Sequence, residues 1–179
     1  MKATWVRTCL VLGFFGLLLG LLFKYMLPPD LDEIELTDEL NPIVAEKKDE
    51  LIQQANDKGI PVIITAGYRS LAEQNELFEK GRTGSGNIVT NARGGESLHN
   101  FGLAIDFALL NKQGEAIWDM RYDGNDNGKS DWMEVVTIAK ELGFDWGGDW
   151  AGFKDYPHLQ MTFGLSLREL QQGKRPKGR

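Results

Sequence analysis

The chain has 179 residues, a formal net charge of −6, two histidines and one cysteine. An acidic chain of this kind excludes nucleic acid as a partner, because a phosphate backbone is met by clustered lysine and arginine. The single cysteine, Cys9, lies in the first apolar stretch, so the rest of the chain has neither disulfides nor thiolate metal ligands.

Thr8 to Phe23 is apolar, Lys24 is its first charge, and the run resumes through Tyr25, Met26 and Leu27 to Pro28-Pro29. With Lys24 snorkelling, the segment is about 20 residues long, enough for one bilayer crossing. Lys2 and Arg7 precede it, which keeps the N-terminus in the cytoplasm and sends the rest outward. Leu21 to Leu27 lacks the small-residue pattern of a cleavage site. An uncleaved signal-anchor is therefore favoured over secretion after cleavage. The expected organisation is a transmembrane segment over 1–27, a linker over 28–39, one domain over 40–170 and a basic tail over 171–179.

Thr37 to Lys58 reads as a helix, with Leu40, Ile43, Val44, Leu51, Ile52 and Ala55 at helical spacing and Gly59 as its stop. Ile60 to Ala66 is β-branched and apolar, which predicts a buried strand. Ser70 is placed to cap a helix over Leu71–Lys80, with Glu73 at the capping-box position. Arg82 to Ser97 is a long Gly-, Asn- and Thr-rich loop, and loops of that length usually have a function. Leu103–Leu109 reads as a strand, Asp131–Leu142 as an amphipathic helix and His158–Phe163 as a short strand. Asp145–Lys154 reads as an aromatic and glycine loop. The mixture predicts an α+β fold: a small, mostly antiparallel sheet with flanking helices, preceded by one N-terminal transmembrane helix.

Two segments carry the chemistry. His99 is followed seven residues later by Asp106, set between Ile105 and Phe107. A carboxylate there is costly to bury without compensation, and a metal ion is one such compensation. The second segment is Asp155-Tyr156-Pro157-His158. Together they offer His99, Asp106 and His158, two imidazoles and one carboxylate, a ligand set typical of catalytic zinc with an open fourth position. Asp155 is left over as a nearby carboxylate able to move a proton. Taken singly, either histidine is as readily an ordinary hydrogen-bonded residue, and Asp106 could pair with an arginine.

Several ordered motifs join these residues: Gly67-Tyr68-Arg69-Ser70, Glu73-Gln74, Gly81-Arg82-Thr83, Ser97-x-His99, Gly102-x-Ala104-x-Asp106, Gly147-Gly148-Asp149-Trp150 and Asp155-x-Pro157-His158. From about Leu40 to Phe163 the chain resembles the D-alanyl-D-alanine carboxypeptidase-like zinc peptidases, above all their L-alanyl-D-glutamate endopeptidase branch. The resemblance implies His99, Asp106 and His158 as zinc ligands, Asp155 as catalytic acid and base, and Arg69 as the cation that stabilises the tetrahedral intermediate. A salt bridge that holds its loop is the alternative for Arg69. Gln74 and Ser97 become candidate substrate-binding donors. Trp146 and Trp150 become candidate groove walls, with a place in the core as the alternative for both.

The implied activity is hydrolysis of the L-alanyl-D-glutamate bond in peptidoglycan stem peptides, at the outer face of a bacterial cell membrane. Carboxypeptidase relatives tend to carry glutamate and tryptophan just before the final histidine, whereas this chain has Asp155-Tyr156-Pro157. A D-alanyl-D-alanine carboxypeptidase is the alternative activity, and a non-catalytic peptidoglycan-binding module the alternative class.

One motif lies outside this set. Asp123, Asn125, Asn127, Asp131 and Glu134 occupy positions 1, 3, 5, 9 and 12 of a calcium-loop pattern, with Gly128 at position 6. Ser130 stands at position 8, where an apolar residue is usual. The competing reading is a polar turn followed by a capping box made by Asp131 and Glu134.

Overall fold

The computed structural model describes residues 38–83 and 87–177. Helix α1, Pro42–Asp57, starts later than the apolar spacing suggested. Pro42 occupies the first turn, where its missing N–H costs nothing, and the Asn41 side chain accepts from the Ile43 N–H as N-cap. The chain then enters β1, Val62–Ala66, which is not the buried strand expected: it lies at the end of the strand order, with Val62 buried and Ile63 and Thr65 exposed. Helix α2, Leu71–Glu79, begins with the expected box: the Ser70 hydroxyl accepts from the Glu73 N–H, and the Glu73 carboxylate accepts from the Ser70 N–H.

A 3-10 turn, Leu98–Phe101, is closed by Gly102 in the left-handed region at φ 66°, a conformation that favours glycine. It feeds β2, Ala104–Leu110, and a short β3, Ala116–Ile117, that the sequence pattern did not reveal. Helix α3, Asp131–Glu141, is capped by Ser130, whose hydroxyl accepts from the Met133 N–H. The expected box of Asp131 with Glu134 does not form, because Ser130, one residue earlier, is the cap. The expected 145–154 loop holds β4, Asp145–Trp146, and a second 3-10 turn, Gly147–Asp149. Strand β5 is only His158–Gln160. It stops short of Phe163, which lies at a positive φ of 52°, a strained conformation for a bulky side chain.

A last helix, α4, Leu167–Gln171, went unread although Ser166 and Glu169 form a capping box in front of it. The basic tail begins by folding back, with Arg175 Nη1 donating to the Leu170 carbonyl.

Among the described residues the strands form one sheet in the order β1-β2-β5-β4, with β3 paired to β2. Every pairing is antiparallel, so the α+β expectation holds for the folded domain. Among the described residues no helix is long and apolar enough to cross a membrane. The expected anchor, residues 1–27, lies outside the described residues.

Alternation along β2 sends Ile105, Phe107 and Leu109 into a core shared with Val44 and Leu51 of α1, Trp132 and Val136 of α3, and Leu159 of β5. Phe107 is fully buried, and its ring centroid lies 4.5 Å from that of Trp132. Phe107→Ala is expected to cost roughly 3–5 kcal/mol through the cavity it leaves. Urea unfolding of the full-length chain measures this, and a loss below about 1 kcal/mol would contradict the packing described.

Candidate active site and metal centre

Asp106 stands directly opposite His158 across the β2–β5 ladder and is paired on its other side with Ala66 of β1. The next residue, Gly67, places its carbonyl 2.7 Å from His99 Nδ1. A carbonyl only accepts, so Nδ1 carries the proton and Nε2 keeps its lone pair. His99 Nε2 lies 3.2 Å from His158 Nδ1 and 3.3 Å from Asp106 Oδ1, and His158 Nδ1 lies 3.2 Å from the same oxygen. Three ligands about 2.0–2.1 Å from a tetrahedral zinc would sit roughly 3.3–3.4 Å apart. The three donor atoms thus have the spacing of three corners of such a tetrahedron. Among the described residues they form the one group of three or more His, Cys, Asp or Glu side chains able to share an ion.

Both imidazoles are buried, and the Asp106 side chain keeps 21% of its exposure. Burial pushes the Asp106 carboxyl up, but the two imidazoles win and hold it well below the usual carboxylate range. The carboxylate is therefore ionised, as a metal ligand must be.

Arg69 closes the rim from the β1–α2 turn. Its Nη2 lies 3.7 Å from Asp106 Oδ2, and its Nη1 donates to Gln74 Oε1 at 2.8 Å. Gln74 is fully buried, and its Nε2 donates to the Ala92 carbonyl. Its amide is thus spent on orienting Arg69 and pinning the long loop, and it reaches a substrate only through Arg69. Asn100, also fully buried, accepts from the Gly95 N–H and donates to the Arg69 and Ser70 carbonyls. Sequence reasoning missed it, although a polar residue between His99 and Phe101 was a signal.

Asp155 is brought in by close approach of two backbones: its N–H donates to the Gly147 carbonyl at 3.2 Å. A Cβ on Gly147 would collide with the Asp155 backbone, so glycine is required there. Burial pushes the Asp155 carboxyl up, with Asp106 acting in the same direction, while the two imidazoles and Arg69 pull it down. Asp155 thus shares one electrostatic environment with the triad and the guanidinium.

Residues 90–161 match the model of the D-alanyl-D-alanine carboxypeptidase family. The chain is 63% identical over 131 residues to the peptidoglycan L-alanyl-D-glutamate endopeptidase CwlK of Bacillus subtilis, covering 73% of this chain and 78% of that one. The chain belongs to this peptidase family. It is also 32% identical over 113 residues to an L-alanyl-D-glutamate peptidase of Listeria phage A118, covering 63% of this chain and 34% of that relative. Among solved structures, the L,D-carboxypeptidase DacB of Streptococcus pneumoniae shares the fold, with a TM-score of 0.52 at 20% identity, covering 77% of this chain and 74% of that one.

The remaining candidates of this family member are placed as follows. Ser97 caps the first 3-10 turn, its hydroxyl accepting from the His99 N–H at 3.4 Å. Trp146 belongs to the core rather than to a groove wall: it is 6% exposed, and its indole N–H donates to the Tyr156 carbonyl. Trp150 is the tryptophan beside the triad, with its ring centroid 5.2 Å from that of His158.

The Asp123–Glu134 segment closes on itself. Asp123 accepts from the Asn127 and Gly128 N–H groups, Asn125 from the Asn127 N–H, and Asn127 from the Lys129 N–H. Asp131 Oδ2 accepts from the Gly124 N–H, while Glu134 accepts from the Asn127 amide. These bonds hold the loop closed.

Gln74→Leu removes the acceptor for Arg69 and leaves the Ala92 carbonyl without its donor, at an expected cost of roughly 1–3 kcal/mol. Urea denaturation checks this, and unchanged stability would show that Gln74 is not a clamp.

Proposed function

We propose that the chain is a zinc-dependent peptidoglycan endopeptidase that hydrolyses the L-alanyl-D-glutamate bond of cell-wall stem peptides. One observation carries the proposal: a His–Asp–His triangle with tetrahedral spacing sits in a chain 63% identical to an enzyme of that activity. His99 Nε2, Asp106 Oδ1 and His158 Nδ1 would hold the ion. Bound there, zinc supplies a Lewis acid for the scissile carbonyl and lowers the pKa of a water to about 7.

Asp155 acts as the proton carrier. It takes the proton of the attacking water and delivers it to the departing nitrogen. Its place beside the triad and Arg69, in one electrostatic environment, suits it to this role. Arg69, held by Gln74, keeps a permanent positive charge where the carbonyl oxygen becomes negative. Trp150 stands beside His158, and Ser97 caps the turn that carries His99. We further propose that residues 1–27 anchor the chain in the bacterial cell membrane through one crossing, with the peptidase domain outside.

Asp155→Ala is expected to cut turnover by at least about 100-fold while leaving close to one bound zinc per chain. Loss of zinc in that variant would move Asp155 into the ligand set. His158→Ala is expected to lose both zinc and activity. Mass analysis of digested peptidoglycan distinguishes the bond: new N-terminal D-glutamate supports the proposal, whereas release of free D-alanine alone would make the enzyme a carboxypeptidase.

Calcium at Asp123, Asn125, Asn127, Asp131 and Glu134 is a separable proposal. What favours it is the buried Asp131 carboxylate at position 9, whose charge a hard cation would compensate. Titration calorimetry of the zinc-saturated, full-length chain is expected to show heat for one calcium equivalent. No heat at millimolar calcium would remove this reading.

A further inference from the structure

His158 and Gln160 point to the same face of β5, while Leu159 between them is buried in the core. The cross-strand partner of Gln160 on β2 is Ala104, whose small side chain leaves room along that face. Gln160 Oε1 lies 3.0 Å from His158 Nε2. His158 Nδ1 is the nitrogen aimed at Asp106 and His99. An imidazole can present a lone pair on Nδ1 only when Nε2 carries the proton, and that proton needs an acceptor.

A glutamine can offer either its carbonyl or its amide hydrogens. Only the carbonyl orientation is compatible with Nδ1 as a ligand. His99 is held in the complementary way, with Nδ1 bonded to the Gly67 carbonyl and Nε2 turned toward His158 and Asp106. The two histidines therefore use opposite ring nitrogens, and each is set by an acceptor on its far side. For His99 that acceptor is backbone, which no substitution removes. For His158 it is a single side chain.

We propose that Gln160 is a positioning residue that fixes the tautomer and ring orientation of His158 for metal binding, an inference that rests on the metal reading above. A ligating imidazole that loses its outer hydrogen bond generally loses 10–100-fold in metal affinity. Competition of the full-length chain with a chromophoric chelator, with zinc as the probe, measures this. Gln160→Leu is expected to weaken zinc binding by roughly 10–100-fold while the metal-free variant keeps its unfolding midpoint. Gln160→Glu, which retains the acceptor, is expected to bind zinc at least as tightly as the parent chain.

Parental zinc affinity in a folded Gln160→Leu chain would overturn the assignment. So would equal weakening in both variants, because the acceptor would then not be what matters. If the unsubstituted chain binds no zinc, the metal reading itself fails, a result distinct from either of these. Long-range nitrogen-edited spectra of the zinc-loaded parent chain supply a test that needs no variant. A proton on His158 Nε2 with Nδ1 at the metal is expected, and the reverse pattern would overturn the proposal.

Discussion

The antiparallel register of β2 governs the rest of the site. That strand holds β1 on one side and β5 on the other, and the pairing puts Asp106 opposite both Ala66 and His158. Because side chains alternate, the same register drives Ile105 and Phe107 into the core while Asp106 faces the site. A slip of one residue would bury the carboxylate and expose the core. Core packing and ligand geometry are therefore one constraint, and the cost of misplacing Phe107 or Leu159 also protects the position of Asp106 and His158.

Around that register, the irregular parts of the chain are fastened by buried amides. Gln74 ties Arg69 to the long loop through Ala92, and Asn100 ties the same loop at Gly95 to the backbone of Arg69 and Ser70. A buried amide left unbonded is expensive, whereas one bonded at both ends fixes two segments at once. The arginine that faces the reacting carbonyl in the proposed mechanism therefore depends on side chains that never touch substrate. The rest is decided by close approach, since Gly147 has no side chain to keep Asp155 and His158 away from the second 3-10 turn.

The long elements were legible in the sequence. The apolar spacing in α1, the Ser70–Glu73 box of α2 and the β-branched run of β1 all have local causes. Their ends were less legible because single residues decide them: Pro42 delays α1, and Ser130 rather than Asp131 caps α3. The two-residue strands β3 and β4 were unreadable, since they exist only as partners of β2 and β5. The five-residue α4 carried a readable box, Ser166 and Glu169, yet so short a helix has almost no apolar period to draw attention.

The sequence by itself determined the ingredients of the site: two histidines, an aspartate among apolar neighbours, a second aspartate three residues before the last histidine, and a turn arginine. These are matters of residue type and order, which need no coordinates. Tertiary structure alone decided which nitrogen of each imidazole faces the shared point, that Trp146 is core while Trp150 stands beside His158, and that Gln74 holds Arg69 instead of a substrate. Each of these depends on contacts between segments far apart in the chain, and such contacts leave no periodicity or spacing for a sequence to display.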